Sequence, residues 1–263
     1  MRLTPRGRAK ALQHGASPAD LRASIASCTL CGACEPVCPE RIPLVDMILK
    51  LRRAQPLEGE APPGPGAAHG PSGTGFLPGA PLRRDPERVR RIATLLDAAI
   101  AADDGADVSH AVEAGTALQP SRLKALLDSL GRADRLIVAD GLLLRKLREW
   151  LPGGRMTSLG EALSAHEAVR AKLRATDLYV IEPRAFHADH ARLVRHYDAL
   201  AKARRLSINL DLQRLAVPVG ASADQARWVL EGRSFERVVV EDAADYDAFA
   251  SVTNRPVVHV GDL

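Results

Sequence analysis

The chain predicts an α/β protein with a small N-terminal helical domain and a C-terminal, largely parallel sheet flanked by helices. Short β-branched runs recur at 135–138, 177–181, 237–240 and 256–260. Helix-period stretches lie between them, over 141–150, 159–174, 187–205 and 222–231. Strands alternating with helices are the pattern of a parallel sheet with crossover helices. All four cysteines stand apart from this pattern, within positions 28–38 near the N-terminus.

Two helices are predicted around the cysteines. The first covers 18–27, with Ser17 as N-cap and Pro18 in its first turn. The second covers 43–54, where Leu44, Met47, Ile48 and Leu51 share a face. Residues 55–82 are rich in Pro and Gly and read as a flexible linker. The glycines from Gly70 to Gly75 are a faint phosphate-loop echo, without a Walker lysine or a preceding strand. Beyond the linker, helices are expected over 86–102 and 120–130. The organisation is therefore 1–54, a linker at 55–82, and an α/β domain at 83–263.

Composition narrows the functions open to the chain. A 46% hydrophobic content suits a globular core. Aromatics are only 3%, which argues against stacking platforms for bases, and no nucleic-acid partner is expected. The formal charge of +4 would suit an acidic partner or a membrane surface. No apolar stretch is long enough to span a bilayer, and the basic first ten residues lack an apolar core, so a cytoplasmic protein is expected.

The cysteines carry the chemistry. Cys28, Cys31, Cys34 and Cys38, followed by Pro39, form a C-x2-C-x2-C-x3-C-P run. This spacing wraps thiolates around an iron–sulfur cluster. Gly32 and Ala33 keep the loop small, so that backbone N–H groups can approach the cluster sulfurs. Structural zinc prefers two separated cysteine pairs, and a disulfide framework suits shorter secreted chains. In two-cluster proteins the fourth cysteine of such a run serves the other cluster, but this chain has one run. Cys38 either completes one [4Fe–4S] centre, reaches a cluster in a partner chain, or leaves a [3Fe–4S] or open iron. The reading adopted is one [4Fe–4S] cluster held by Cys28, Cys31, Cys34 and Cys38.

Other polar groups have bland readings. Asp140, Glu182, Glu241, Asp242 and Asp262 end predicted strands. They could line a site at the strand carboxyl ends, but helix capping or solvation is the expectation. His187, His190 and His196, with Asp189 nearby, lack the H-E-x-x-H pattern and read as a solvated helix face. No G-x-G-x-x-G follows a strand, and neither a nucleophile elbow nor a paired-acid site is present.

The cysteine run with helices on each side resembles the helical-ferredoxin domain of the iron–sulfur subunits of heterodisulfide reductase, glycolate oxidase and anaerobic glycerol-3-phosphate dehydrogenase. The stretch from His196 to Pro218 is similar to a segment of iron–sulfur proteins found with dimethylglycine-type dehydrogenases. Those families usually carry two cluster motifs and paired cysteines in the C-terminal domain; here no cysteine follows Cys38. The resemblance implies an electron-transfer subunit. It would relay single electrons between a flavoprotein dehydrogenase or electron-transfer flavoprotein and a downstream acceptor, such as a membrane-bound quinone-linked one. No catalytic residue is expected on the chain itself. Two alternatives remain: an open-iron oxidoreductase subunit acting on a small hydroxy acid or amine, and a structural or redox-sensing cluster module.

Overall fold

The computed structural model describes residues 4–62, 64 and 70–263. Helices α1 (Pro5–Gln13), α2 (Arg22–Ala26) and α3 (Leu44–Ala54) form the N-terminal part. Thr4 starts α1 by accepting from the Gly7 N–H at 3.1 Å. Ser17 and Asp20 exchange hydrogen bonds in a turn, but α2 begins only at Arg22, so the first predicted helix is shorter than 18–27. The second matches closely, although it also buries Val45, Leu49 and Arg52.

Next come β1 (Gly73–Leu77), α4 (Gly79–Arg83), α5 (Pro86–Leu95), β2 (Ala99–Ile100), α6 (Ala106–Ala114), α7 (Pro120–Leu130), β3 (Ala133–Val138), α8 (Gly141–Trp150), β4 (Met156–Ser158), α9 (Leu159–Ala165) and α10 (Glu167–Lys172). The rest is β5 (Asp177–Val180), α11 (Pro183–Ala188), α12 (His190–Arg204), β6 (Ser207–Ile208), α13 (Ala223–Leu230), β7 (Arg237–Val240), a 3-10 turn Ala243–Asp245, α14 (Tyr246–Ala250), β8 (Val257–His259) and a 3-10 turn Val260–Asp262.

The eight strands form two parallel four-stranded sheets, not one. Their orders are β2-β1-β3-β4 and β6-β5-β7-β8, the same topology used twice. Phe76 lies beside Ile137 in the first, and Tyr179 beside Val239 in the second. One apolar cluster includes all four of these residues, so the two sheets share a core.

The linker expectation is corrected where the chain is described. Residues 63 and 65–69 lie outside the described residues. Gly73–Leu77, however, is one of the two central strands of the first sheet, and Gly79–Arg83 is a helix. The glycines mislead because one of them serves packing. A Cβ on Gly75 would sit 2.6 Å from Pro71 Cγ and 3.1 Å from a Leu136 methyl. The predicted helix at 86–102 stops at Leu95, and its tail becomes β2. The predicted helices at 159–174 and 187–205 each break once, at His166 and Asp189.

The N-terminal helices do not stand apart. Ile25, Leu30, Val45, Ile48 and Leu49 pack in one cluster with Val112 of α6 and Leu142 of α8. Among the described residues, no helix is long and apolar enough to cross a membrane.

Candidate functional site: a cysteine loop and the cavity behind it

The four cysteines lie in the irregular loop between α2 and α3, each half-buried and unbridged. One-turn hydrogen bonds run along it: Glu35 N–H to Gly32 O, Cys38 N–H to Glu35 O, and Arg41 N–H to Cys38 O, at 3.0–3.1 Å. Gly32 has φ +77° and its hydrogen faces His187, whose Cβ lies 3.1 Å from where a side chain would begin. Leu30 is also left-handed, at φ +56°, yet 2% exposed. A branched-chain residue is held in that strained region only when its surroundings over-determine it.

Those surroundings are side chains from other elements. Arg52 of α3 is buried; it donates to the Cys28 carbonyl at 2.5 Å and to the Glu113 carbonyl at 2.7 Å. Arg184 of α11 donates through Nε to the Thr29 carbonyl at 2.9 Å. Its two other nitrogens grip the Glu113 carboxylate at 2.6 and 3.1 Å. His187 Nδ1 lies 2.7 Å from the Cys31 carbonyl, and its Nε2 accepts from the Ala216 N–H at 3.2 Å. These partners define a neutral ring protonated at Nδ1. Burial agrees, holding its pKa down to about 4. On the far side, Arg145 of α8 grips Glu35 at 2.7 and 3.1 Å, while Glu35 accepts from the Val45 N–H at 2.9 Å.

The thiols feel one another. Burial, then the neighbouring Cys31, Glu35 and Cys28 groups, pushes the Cys34 thiol up to about 12. Burial also raises Cys31, opposed in part by the Arg184 charge. Cys28, Cys31, Cys34 and Cys38 are the residues that could hold a metal here, by donor type and spacing. Among the described residues, no three or more His, Cys, Asp or Glu side chains converge as a metal-binding group.

Behind the loop lies a cavity of about 800 Å³. Cys28, Thr29 and Cys31 form part of its wall. The residues that follow four of the strands form another part: Pro78, Asp140, Glu182 and Asp242. The carboxyl ends of both sheets therefore open onto one space, the position where open parallel sheets bind ligands.

The strand-end acids combine both readings available from sequence. Asp140 caps α8 through the Leu142 and Leu143 N–H groups. Glu182 caps α11, and Asp242 caps the following turn. All three also line the cavity. Glu241 also borders the cavity but caps no helix: it is buried and accepts from both Tyr179 and Tyr197 hydroxyls at 2.7 Å and from the Glu182 N–H at 2.9 Å. Burial pushes its pKa up to about 7, against the pull of those donors. Asp262 lies elsewhere, paired with Arg88 and Arg91.

The histidines do not form a solvated face. His187 is buried against the cysteine loop, His190 reaches the Arg214 carbonyl at 2.9 Å, and His196 bonds Ser164 at 2.8 Å. Sequence reasoning missed Arg52, Glu113, Arg145 and Arg184. Arg52 in the last turn of α3 and Arg145 in the second turn of α8 are on amphipathic helices, where an arginine reads as a surface residue. His187 alone gave a signal, as a histidine next to the apolar Phe186.

No protein-family model, curated protein or solved structure matches this chain.

Proposed function

We propose that the chain is an iron–sulfur electron carrier that exchanges single electrons with a flavoprotein partner. One observation supports this most: a loop with four thiols at cluster spacing is anchored through three of its carbonyls, by Arg52, Arg184 and His187. Pulling carbonyls outward frees the loop's inner side for N–H groups and sulfur. Arg52 and Arg184 put positive charge beside Cys28 and Cys31, which suits thiolates bound to a negative cluster. Cys28, Cys31, Cys34 and Cys38 would hold one [4Fe–4S] group, which when bound takes up and releases one electron. The reading places the chain with the iron–sulfur subunits that its cysteine run resembles, its two-sheet part being a thiol-free relative of their C-terminal domain.

The loop has two sides. Cys28 and Cys31 border the cavity, whereas Cys38 lies among the exposed Val37, Pro39 and Ile42. A protein partner would meet the Cys38 side. The test is anaerobic reconstitution with iron and sulfide, metal analysis, and EPR of the reduced protein, for wild type and Cys38→Ser. About four irons per chain and reversible reduction are expected for wild type. Zinc without iron after reconstitution would sink the reading. A [3Fe–4S] signal in wild type that converts on adding iron would instead favour the open-iron alternative, to which the cavity beside Cys28 and Cys31 would give a substrate chamber.

A further inference from the structure

Two buried cations beside the cysteine loop have no acid to answer them. Arg52 is 1% exposed, and its partners are all carbonyls: Cys28 at 2.5 Å, Glu113 at 2.7 Å, Ile25 at 3.3 Å and Ala26 at 3.4 Å. Its Nε is buried and has no partner. Arg8 of α1 is 5% exposed and donates to the Ser24 hydroxyl at 2.9 Å and the Ser24 carbonyl at 2.7 Å. Among the described residues, neither arginine meets a carboxylate in an ion pair. Arg184 completes the group, but its charge is matched by Glu113. Three guanidiniums therefore share one carboxylate around the end of α2 and Cys28. They feel one another: burial pulls the Arg52 pKa down, Arg184 and Arg8 act the same way, and Glu113 and Cys28 oppose them. An arginine stays charged all the same.

Taking a cation out of water costs several kcal/mol, and carbonyls solvate it without cancelling its charge. The last turns of α2, α3 and α6 supply about half a negative charge each at most, less than the two unmatched cations carry. A surplus of positive charge is left beside Cys28. A cluster with four thiolate ligands is an anion, and reduction makes it more negative. We propose that Arg52, supported by Arg8, is the buried counter-charge of the group held by Cys28, Cys31, Cys34 and Cys38, and that it sets that group's potential. The inference rests on the carrier reading and adds a direction to it. An added electron is an added negative charge, which a fixed cation favours, so Arg52 holds the potential up.

The test is an anaerobic potentiometric titration of the reconstituted full chain, followed by EPR, for wild type, Arg52→Lys, Arg52→Gln and Arg8→Gln. Arg52→Gln keeps a donor for the loop carbonyls and removes the charge. It makes reduction about tenfold less favourable, a fall of about 59 mV for one electron. Arg52→Lys keeps the charge and stays nearest to wild type, a rescue that a merely structural role would not give. Arg8→Gln, whose arginine is bonded to Ser24 rather than to Cys28, lowers the potential by less. An Arg52→Gln potential equal to or above that of wild type overturns the proposal. So does an Arg52→Lys potential that falls as far as that of Arg52→Gln. Should Arg52→Gln not fold, Arg8→Gln decides, and an unmoved potential there overturns the proposal. Iron content is measured on every sample. Wild type without iron removes the carrier reading and this inference with it, whereas iron-loaded variants with unmoved potentials remove this inference alone.

Discussion

Helices α8 and α11 pack against each other, one from each half, and both hold the cysteine-bearing segment, but by different means. Arg145 and Lys146 of α8 reach side chains, Glu35 and Asp46, in partly exposed ion pairs. Arg184 and His187 of α11 reach backbone, the carbonyls of Thr29 and Cys31. The first kind of contact attaches a segment and tolerates salt and substitution poorly or well according to its exposure. The second dictates the path of the loop, because a carbonyl can point only where its peptide plane allows. In this protein α8 fastens the N-terminal segment, and α11 shapes it.

The sharpest way to break this comparison is to separate the helices. Gly141 begins α8 where a Cβ would lie 2.4 Å from the Ala185 N and 2.4 Å from a Glu182 oxygen. Gly141→Val is expected to cost about 3 kcal/mol or more in urea unfolding, since backbone cannot yield as a side chain can. A cost under about 1 kcal/mol would show that the halves part easily.

Acid comes next and tests α11 alone. The folded-state pKa of His187 is about 4, below the ordinary 6.5, so protonation favours the unfolded chain. Its contribution is complete above pH ~6.5 and is lost as pH falls towards 4, up to about 3 kcal/mol. His259, buried with its pKa also held down to about 4, adds a slope of the same sign. Glu241 has the opposite sign: with its pKa raised to about 7, it loses stability as pH rises from ~4.5 towards 7. His187→Gln should retain a donor for the Cys31 carbonyl and make the acid loss shallower. An unchanged profile of stability against pH would remove His187 from the account.

Arg184→Ala should cost about 2 kcal/mol. That is less than for a fully buried pair, because Glu113 keeps 37% of its side chain open. The same variant should broaden the spectroscopic signature of any metal bound in the loop, which a purely structural loss elsewhere would not do. Arg145→Ala should be smallest, about 1 kcal/mol, because it releases one side-chain pair and no loop carbonyl. If Arg145→Ala changed the loop's metal signature as strongly as Arg184→Ala, the division of labour between the helices would be wrong.

Much of the second half was legible from sequence, and much of the first was not. Runs such as 238–240, three valines, are apolar on both faces, as central parallel strands should be. β1 hides because its sequence, Gly-Thr-Gly-Phe-Leu, sits between Pro71 and Pro78 and looks like a breaker. Strands of two or three residues, such as β2 and β6, fall below the length at which any period can be read. Repetition of the strand order was invisible for the same reason, since only one of the two central strands had been found. The four cysteines stood out by spacing, whereas their supports did not. Arg52, Arg184 and His187 lie up to 159 residues from Cys28 along the chain, and nothing local distinguishes a buried arginine on an amphipathic helix from an exposed one.

The three anchored carbonyls carry one more implication. Arg52, Arg184 and His187 are each fixed by a second partner: the Glu113 carbonyl, the Glu113 carboxylate and the Ala216 N–H. A loop pinned to supports that are themselves pinned has little freedom to rearrange when charge arrives or leaves. Dipoles already set for the new charge need no reorganisation at the moment of transfer. For a group exchanging electrons at Cys28 and Cys31, such stiffness would quicken exchange at any given driving force.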